Sequence, residues 1–235
     1  MRLAILISFL VSSLYAQDGF FSSPAAGAAV GVADWQTSLV GYWPMDAIQR
    51  GKVQDWSGKG NVGTATNNPV VTNGIVGNAV YLTDYSGFIC STVQAVSCVF
   101  WVKASNKGPA VYGGILNPDG VPGLFQTNDK RLSLYNNGDN YGFLLPTNEW
   151  VHVGVSLTET NVSFYSNGVF SVSATEHPIA SWNVTRIGYR RSGVNQPFIG
   201  SLDDVRIYNR ALATNEISAI YRWGWGTHHG TPVHP

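Results

Sequence analysis

From Leu39 onward the chain is written in short apolar runs separated by Gly, Asn and Pro. Polar and apolar positions alternate within many of these runs, the period of a strand whose successive side chains leave on opposite faces. The clearest are Val80 to Leu82, Val96 to Lys103, Leu132 to Tyr135, Trp150 to Leu157, Val162 to Tyr165, Val169 to Ala174 and Phe198 to Tyr208. Short strands closed by turn residues predict an all-β antiparallel architecture, a sandwich or a barrel. Ser166-Asn167-Gly168 lies between two such runs, and Asn-Gly accepts the positive φ of a type I′ turn, so a hairpin is expected there. Leu212, Ile217, Ile220 and Tyr221 recur at helical spacing and predict one short helix near the C-terminus. Beyond it Gly, Pro, Trp and His follow without a period, and residues 224–235 read as an irregular tail.

The opening of the chain has a different pattern. Arg2 precedes an apolar stretch from Leu3 to Val11 broken only by Ser8, and Ala16 supplies a small residue for cleavage. This is the layout of a secretory signal over residues 1–16, so the protein is expected to be secreted. The stretch is too short to span a hydrocarbon core of ~30 Å, and no later run approaches that length. Residues 17–36 contain SSPAAGAAVGVAD, which has no usable period, and predict a flexible Ala/Gly-rich arm. Residues 37–223 remain as one domain.

Composition narrows this picture. With 235 residues, 44% hydrophobic and 12% aromatic, the chain can build an ordinary core and is unlike a disordered sequence. Charged residues are 12%, about half the usual ~25%, so the surface must be neutral and polar, as on strands and turns. Fourteen Lys and Arg balance fourteen Asp and Glu. No net field draws the chain to nucleic acid or anionic lipid, and neither nucleic acid nor membrane insertion is expected. Export makes a disulfide between Cys90 and Cys98 feasible if a hairpin brings their Cβ atoms within ~3.5–4.5 Å. Two buried free thiols are the alternative, and the sequence leaves both open.

Several segments together resemble a laminin-G-like jelly roll of the concanavalin A-like lectin/glucanase superfamily. They are LVGYWPMD (Leu39 to Asp46), DWSGKGNVG (Asp55 to Gly63), GNAVYL (Gly77 to Leu82), SCVFWVK (Ser97 to Lys103) and WVHV (Trp150 to Val153). The most specific is FIGSLDDVRIYNRALATNEISAIY, from Phe198 to Tyr221, which is similar to the family's closing strand and helix. One departure is Ala213 where the family has a helix-capping Ser three residues before Glu216. The capping box is expected to be lost, with the helix start shifted to Thr214. The resemblance implies a two-sheet sandwich that binds glycans or glycoproteins, with one structural calcium. In that architecture the first and last strands are neighbours, so Asp46 is expected to meet Asp203 and Asp204. Carboxylates and backbone carbonyls are the oxygen ligands calcium prefers.

For the binding surface, aromatic rings that stack on the apolar face of a sugar are the natural candidates. Tyr112, Tyr141, Trp182 and Tyr189 stand near predicted loops or strand ends and are assigned that role. Trp43, Trp101 and Trp150 fall inside strands and are expected in the core. His152 is expected as a structural histidine, and His228, His229 and His234 lie in a Gly/Pro-rich setting that does not define a site. Asn161 and Asn183 begin Asn-x-Ser/Thr glycosylation sequons.

Catalysis is not expected. Superfamily glycosidases place two carboxylates on one face of a strand, at i and i+2. Glu149, Glu159, Glu176 and Glu216 have no acidic residue at i+2 or i+4, and adjacent Asp203 and Asp204 should point to opposite faces. Gly58 to Gly63 matches the GxGxxG spacing, but strand and turn residues follow it where a dinucleotide site needs a helix. Two readings remain from the sequence. One is a secreted binding module. The other is a structural or assembly protein of an extracellular surface, appendage or virion, capable of self-association. A glycoside hydrolase is a more distant third.

Overall fold

A computed structural model describes residues 35–83, 85–107, 112–118, 120–189 and 197–228. The expected signal at 1–16, most of the arm at 17–36 and the residues from 229 onward lie outside them. The chain enters through β1 (Leu39–Trp43), β2 (Lys52–Val53), β3 (Gly63–Thr66), β4 (Val70–Asn73) and β5 (Asn78–Leu82). Next come β6 (Gly87–Ala95), β7 (Ser97–Ala104), β8 (Tyr112–Asn117), β9 (Gly123–Thr127), β10 (Arg131–Tyr135) and β11 (Asp139–Leu144). The last part holds β12 (Trp150–Leu157), β13 (Val162–Ser166), β14 (Val169–Ala174), β15 (Trp182–Ile187), β16 (Gly200–Tyr208) and α1 (Thr214–His228).

Among the described residues these strands form two antiparallel eight-stranded sheets. Sheet A has the order β14-β13-β12-β7-β16-β5-β4, with β1 also on β16, and sheet B the order β11-β10-β9-β8-β15-β6-β3-β2. The first and last strands are neighbours, as the resemblance implied: Trp43 stands opposite Val205. Between the sheets lie Trp43, Phe88, Phe100, Phe164, Trp182 and Phe198, all buried. Each such side chain contributes roughly 1.5–3 kcal/mol by leaving water. The Asn-Gly hairpin joins β13 to β14, with φ of +50° at Asn167 and +76° at Gly168.

A second cluster holds α1 to the outer face of sheet A. Leu212, Ile217 and Ile220 pack there against Val99, Tyr165, Tyr208 and Trp35. The capping box is only half lost. Glu216 still accepts the Ala213 amide at 2.8 Å, and Arg210 grips both its oxygens at 2.8 and 2.6 Å. The helix also runs to His228, five residues into the stretch expected to be irregular. Tertiary packing overrides the weak helix propensity of glycine here. A Cβ on Gly224 would stand 2.8 Å from the Trp101 indole nitrogen, so only glycine lets the helix lie this close to sheet A.

Cys90 and Cys98 are free, buried thiols. β6 and β7 are consecutive but belong to opposite sheets, so no hairpin aligns the two residues. Burial pushes the Cys90 thiol up to about 12, which keeps it an unreactive core group.

Candidate functional site

The closing strand β16 carries the acidic pair. Strict alternation would send Asp203 and Asp204 to opposite faces, but the pairing with β7 slips between Asp203 and Arg206. Asp204 is the extra residue of this bulge and adopts φ +51°, an uncommon conformation for a non-glycine residue. Its carboxylate pairs with Arg206 at 3.0 Å, with both side chains buried. The Arg206 guanidinium lies 4.6 Å from the ring centres of Tyr42 and Trp223 and 5.4 Å from that of Trp35.

Asp203 turns to the loop between β4 and β5. Its Oδ2 accepts the amides of Ile75 at 2.7 Å and Val76 at 2.9 Å, and Asp46 accepts the Asn78 amide at 2.7 Å from the other side. Burial pushes Asp203 up to about 8, more strongly than the two amides pull it down, and Asp204 and Asp46 add repulsion. The structure therefore brings Asp46, Asp203 and Asp204 into one neighbourhood. It does not make them equivalent, because Asp204 is committed to Arg206. Among the described residues no three His, Cys, Asp or Glu side chains form a metal-holding group. The feature that fits a hard cation is Asp203 Oδ1, buried without a hydrogen-bond partner. Asp46 and Asp203, with backbone carbonyls, are the residues that would hold calcium.

The second concentration of chemistry lies on sheet B. Residues directly opposite one another across a sheet share a face. Ser133 stands opposite Phe125 and Tyr141, and Tyr135 opposite Gly123 and Asp139. Leu132 and Leu134, which alternate with them, point into the core, so this row faces outward. Tyr112, opposite Thr127, joins it and packs edge-on against Phe125, with ring centres 5.5 Å apart, and beside Tyr135 at 5.8 Å.

Asp139 is the hub of this face. Tyr112 and Tyr141 donate to its Oδ2 at 2.7 and 3.0 Å, and Ser133 donates to its Oδ1 at 2.6 Å. The shared carboxylate fixes the phenol rings and directs their protons inward, leaving oxygen lone pairs for an incoming donor. Burial and then the Asp139 bond hold the Tyr112 phenol above its ordinary range. For Tyr141 the bond to Asp139 comes first. Arg131 and Asp129 pair at 3.3 Å on β10 and the turn before it. Asn117, fully buried beside Gly123, has no hydrogen-bond partner for either amide atom.

Of the four aromatic residues assigned to a binding surface, Tyr112 and Tyr141 meet on this face. Trp182 does not. It opens the inward row of β15 and is buried with Val184 and Ile187 in the core. Tyr189 is buried as well, with the Arg186 guanidinium 5.7 Å from its ring centre. Trp43 and Trp101 are buried as expected, while Trp150 is half-buried with Lys103 over its ring. His152 is buried against Trp101 and Tyr221. Asn183 is exposed on β15, whereas Asn161 is half-buried in a tight turn in which its amide donates to Thr158 Oγ1. The Gly58 to Gly63 stretch runs from the loop after β2 into the first residue of β3, a strand where a dinucleotide site needs a helix. Sequence reasoning missed Asp139, Tyr135 and Phe125. Alternation through Tyr135, Asp139 and Tyr141 across the β10–β11 hairpin was the available signal.

The described strands form a two-sheet antiparallel sandwich whose first and last strands are neighbours and whose closing strand carries a buried Asp-Asp-x-Arg bulge. The chain belongs to the concanavalin A-like lectin/glucanase superfamily: a family model of laminin-G type with that description matches residues 73–218. Human usherin is 30% identical over 81 residues, 31% of this chain, and the chain spans only 2% of its length. Similar solved structures include domain 4 of AbnA, an extracellular arabinanase of Geobacillus stearothermophilus, in complex with arabinotriose. It has TM-score 0.63 and 21% identity over 78% of this chain and 98% of that one. Trypanosoma rangeli sialidase is similar with TM-score 0.59 and 17% identity, over 86% of this chain and 34% of that one. The binding domain of Paraclostridial Mosquitocidal Protein 1 has TM-score 0.59 and 16% identity, over 80% of this chain and 52% of that one. These likenesses show the fold.

Proposed function

We propose that this chain is a secreted, non-catalytic binding module for glycans or glycoproteins that uses the outer face of β8 to β11. The observation that carries this reading is the pair of rings Tyr112 and Tyr141 bonded to Asp139, with Tyr135 beside Tyr112 and the buried Phe125 packed against it. Rings held by a shared acceptor need little ordering when a sugar stacks on them, and Tyr141 is 47% exposed. The bound arabinotriose of the AbnA domain and the binding role named for the mosquitocidal domain support the same reading. Hydrolysis of a glycoside needs two carboxylates free to act. On this face Asp139 is engaged by three hydroxyls, and Asp129 by Thr127 and Arg131.

Calcium is part of the proposal, seated on Asp46 and Asp203. The cation would offset the cost of burying Asp203 Oδ1 and hold the loop between β4 and β5 to the closing strand. Calcium added to metal-stripped protein should release heat and raise the melting temperature. No heat and no shift would remove calcium from the account.

The main test is a glycan array with and without calcium. Reproducible sugar binding on densely printed arrays, weakened there at least tenfold by Tyr141→Ala with the melting temperature unchanged, is expected. Dense-array binding indifferent to Tyr141→Ala would contradict the assigned face. The edges of sheet A favour a second reading. Val70 and Val71 on β4 and Val169 and Phe170 on β14 are exposed apolar residues, as an assembling surface protein would present. Blank arrays with oligomers in light scattering would support it.

A further inference from the structure

Trp56 is the most exposed aromatic ring among the described residues that have a large hydrophobic side chain on the surface, at 65%. Val169 alone in that set is more exposed, and it is aliphatic. The backbone beneath Trp56 is held firmly. Asp55 Oδ1 accepts the amides of Tyr42 and Ser57, both at 2.9 Å, and its Oδ2 accepts the Ser57 hydroxyl at 2.9 Å and the Asn61 amide at 2.7 Å. Trp56 donates its own amide to Tyr42 at 2.7 Å, Trp43 donates its indole N–H to the Asn61 carbonyl at 2.8 Å, and Asn61 donates to the Val40 carbonyl at 2.9 Å. Four bonds to one carboxylate and three more to β1 thus fix a loop whose large apolar side chain faces water.

Beside the ring is a cleft of about 80 Å³ whose polar lining comes from Asp46, Gln49 and Gln54, with Met45 and Val53 at its floor. It is far smaller than the ~300–1,000 Å³ of a pocket that encloses a ligand. It suits one substituent of a sugar whose ring lies outside, on the indole. Stacking on Trp56 would place sugar hydroxyls toward the two glutamine amides and the carboxylate. Asp46 is the only charged side chain lining the cleft among the described residues, which favours a neutral sugar over a uronate or sialate.

The position of this loop gives it a distinct consequence. It follows β2, at one end of sheet B, while Tyr141 is on β11 at the other end, seven strand intervals away. At ~4.8 Å per interval the two sites are roughly 30 Å apart, beyond the reach of a mono- or disaccharide. We propose that Trp56 forms a second site for a neutral sugar residue and that the protein is bivalent, engaging a polysaccharide or two glycan chains at once. This rests on the glycan reading of the β8 to β11 face.

The test compares the full chain with Trp56→Ala, Trp56→Phe, Tyr141→Ala and the double alanine variant. The probes are neutral glucans, xylans, arabinans, galactans and mannans printed at high and low density. Avidity makes a specific prediction. At high density each single alanine variant should lose at least tenfold in apparent affinity, Trp56→Phe should recover most of it, and the double variant should not bind. At low density each single variant should stay within a few-fold of the wild type. If Trp56→Ala matches the wild type at both densities while Tyr141→Ala abolishes binding, the second site is overturned and the glycan reading stands. If Tyr141→Ala changes nothing while Trp56→Ala abolishes binding at both densities, bivalency is overturned and the single site moves to Trp56. Absence of wild-type binding to every probe overturns both. Unchanged thermal melting of the variants excludes misfolding as the cause.

Discussion

On sheet A the charged side chains lie inside the protein. Asp204 and Arg206 pair at 3.0 Å, the guanidinium is layered with Trp35, Tyr42 and Trp223, and His152 is sealed against Trp101 and Tyr221. On sheet B the corresponding polar cluster sits at the surface, where Asp139 gathers three hydroxyls and Tyr141 remains open to solvent. The sheet A network leaves Arg206 Nε and His152 Nδ1 buried without a hydrogen-bond partner, whereas the Asp139 carboxylate on sheet B is fully engaged, and burial gives the two different consequences. Buried charges depend on one another in a low dielectric, so breaking that network should destabilise the protein strongly. Hydroxyls matched at the surface cost little to lose and keep lone pairs for a partner. Sheet A therefore holds the fold together, and sheet B presents the proposed binding face.

The largest effect should come from Arg206→Ala, which leaves Asp204 buried without its counter-charge. About 3–5 kcal/mol of stability should be lost in urea denaturation. A loss under about 1 kcal/mol would show that the pair behaves like a surface salt bridge and would break the contrast.

His152 sharpens it through pH. Burial, and then the Arg206 charge, lower its pKa to about 3, against ~6.5 in the unfolded chain. The unfolded state therefore binds a proton first as pH falls, so stability is full above about pH 6.5 and declines toward about pH 3. His152→Phe should flatten that part of the stability-versus-pH curve. An unchanged slope would exclude His152 as its source.

Gly168→Ala tests the hairpin that packs against α1. The new Cβ would meet the Tyr221 ring at 2.8 Å, in a residue at φ +76°, and should cost about 1–3 kcal/mol by thermal or chemical denaturation. The smallest effect on stability belongs to sheet B: Tyr141→Ala should change it by no more than about 0.5 kcal/mol. A larger loss would mean that the tyrosine cluster holds the fold as the Arg206 network does.

The strands and the Asn167-Gly168 turn were legible because a two-residue period and a positive-φ dipeptide are local signals. The meeting of Asp46 with Asp203 followed from the family resemblance. The bulge at Asp204 was not legible, since nothing in Leu202-Asp203-Asp204-Val205 marks one residue as extra. Of the four rings assigned to a binding surface, Tyr112 and Tyr141 lie on the outer face of sheet B, whereas Trp182 and Tyr189 are buried. Strand register decides which face a ring occupies, and proximity to a loop does not report it. The helix beyond Gly224 was hidden for a similar reason: a residue poor at forming helices is needed where Trp101 comes close. Trp56 was passed over because the glycines around it drew the reading to the turn.

Hydrogen exchange with and without a saturating sugar selected on the array tests the central claim most directly. Slowed exchange across residues 112–144, with α1 unchanged, is the predicted result. Unaltered exchange across 112–144, with protection confined to α1 or the edges of sheet A, would contradict the assignment of sheet B as the binding face.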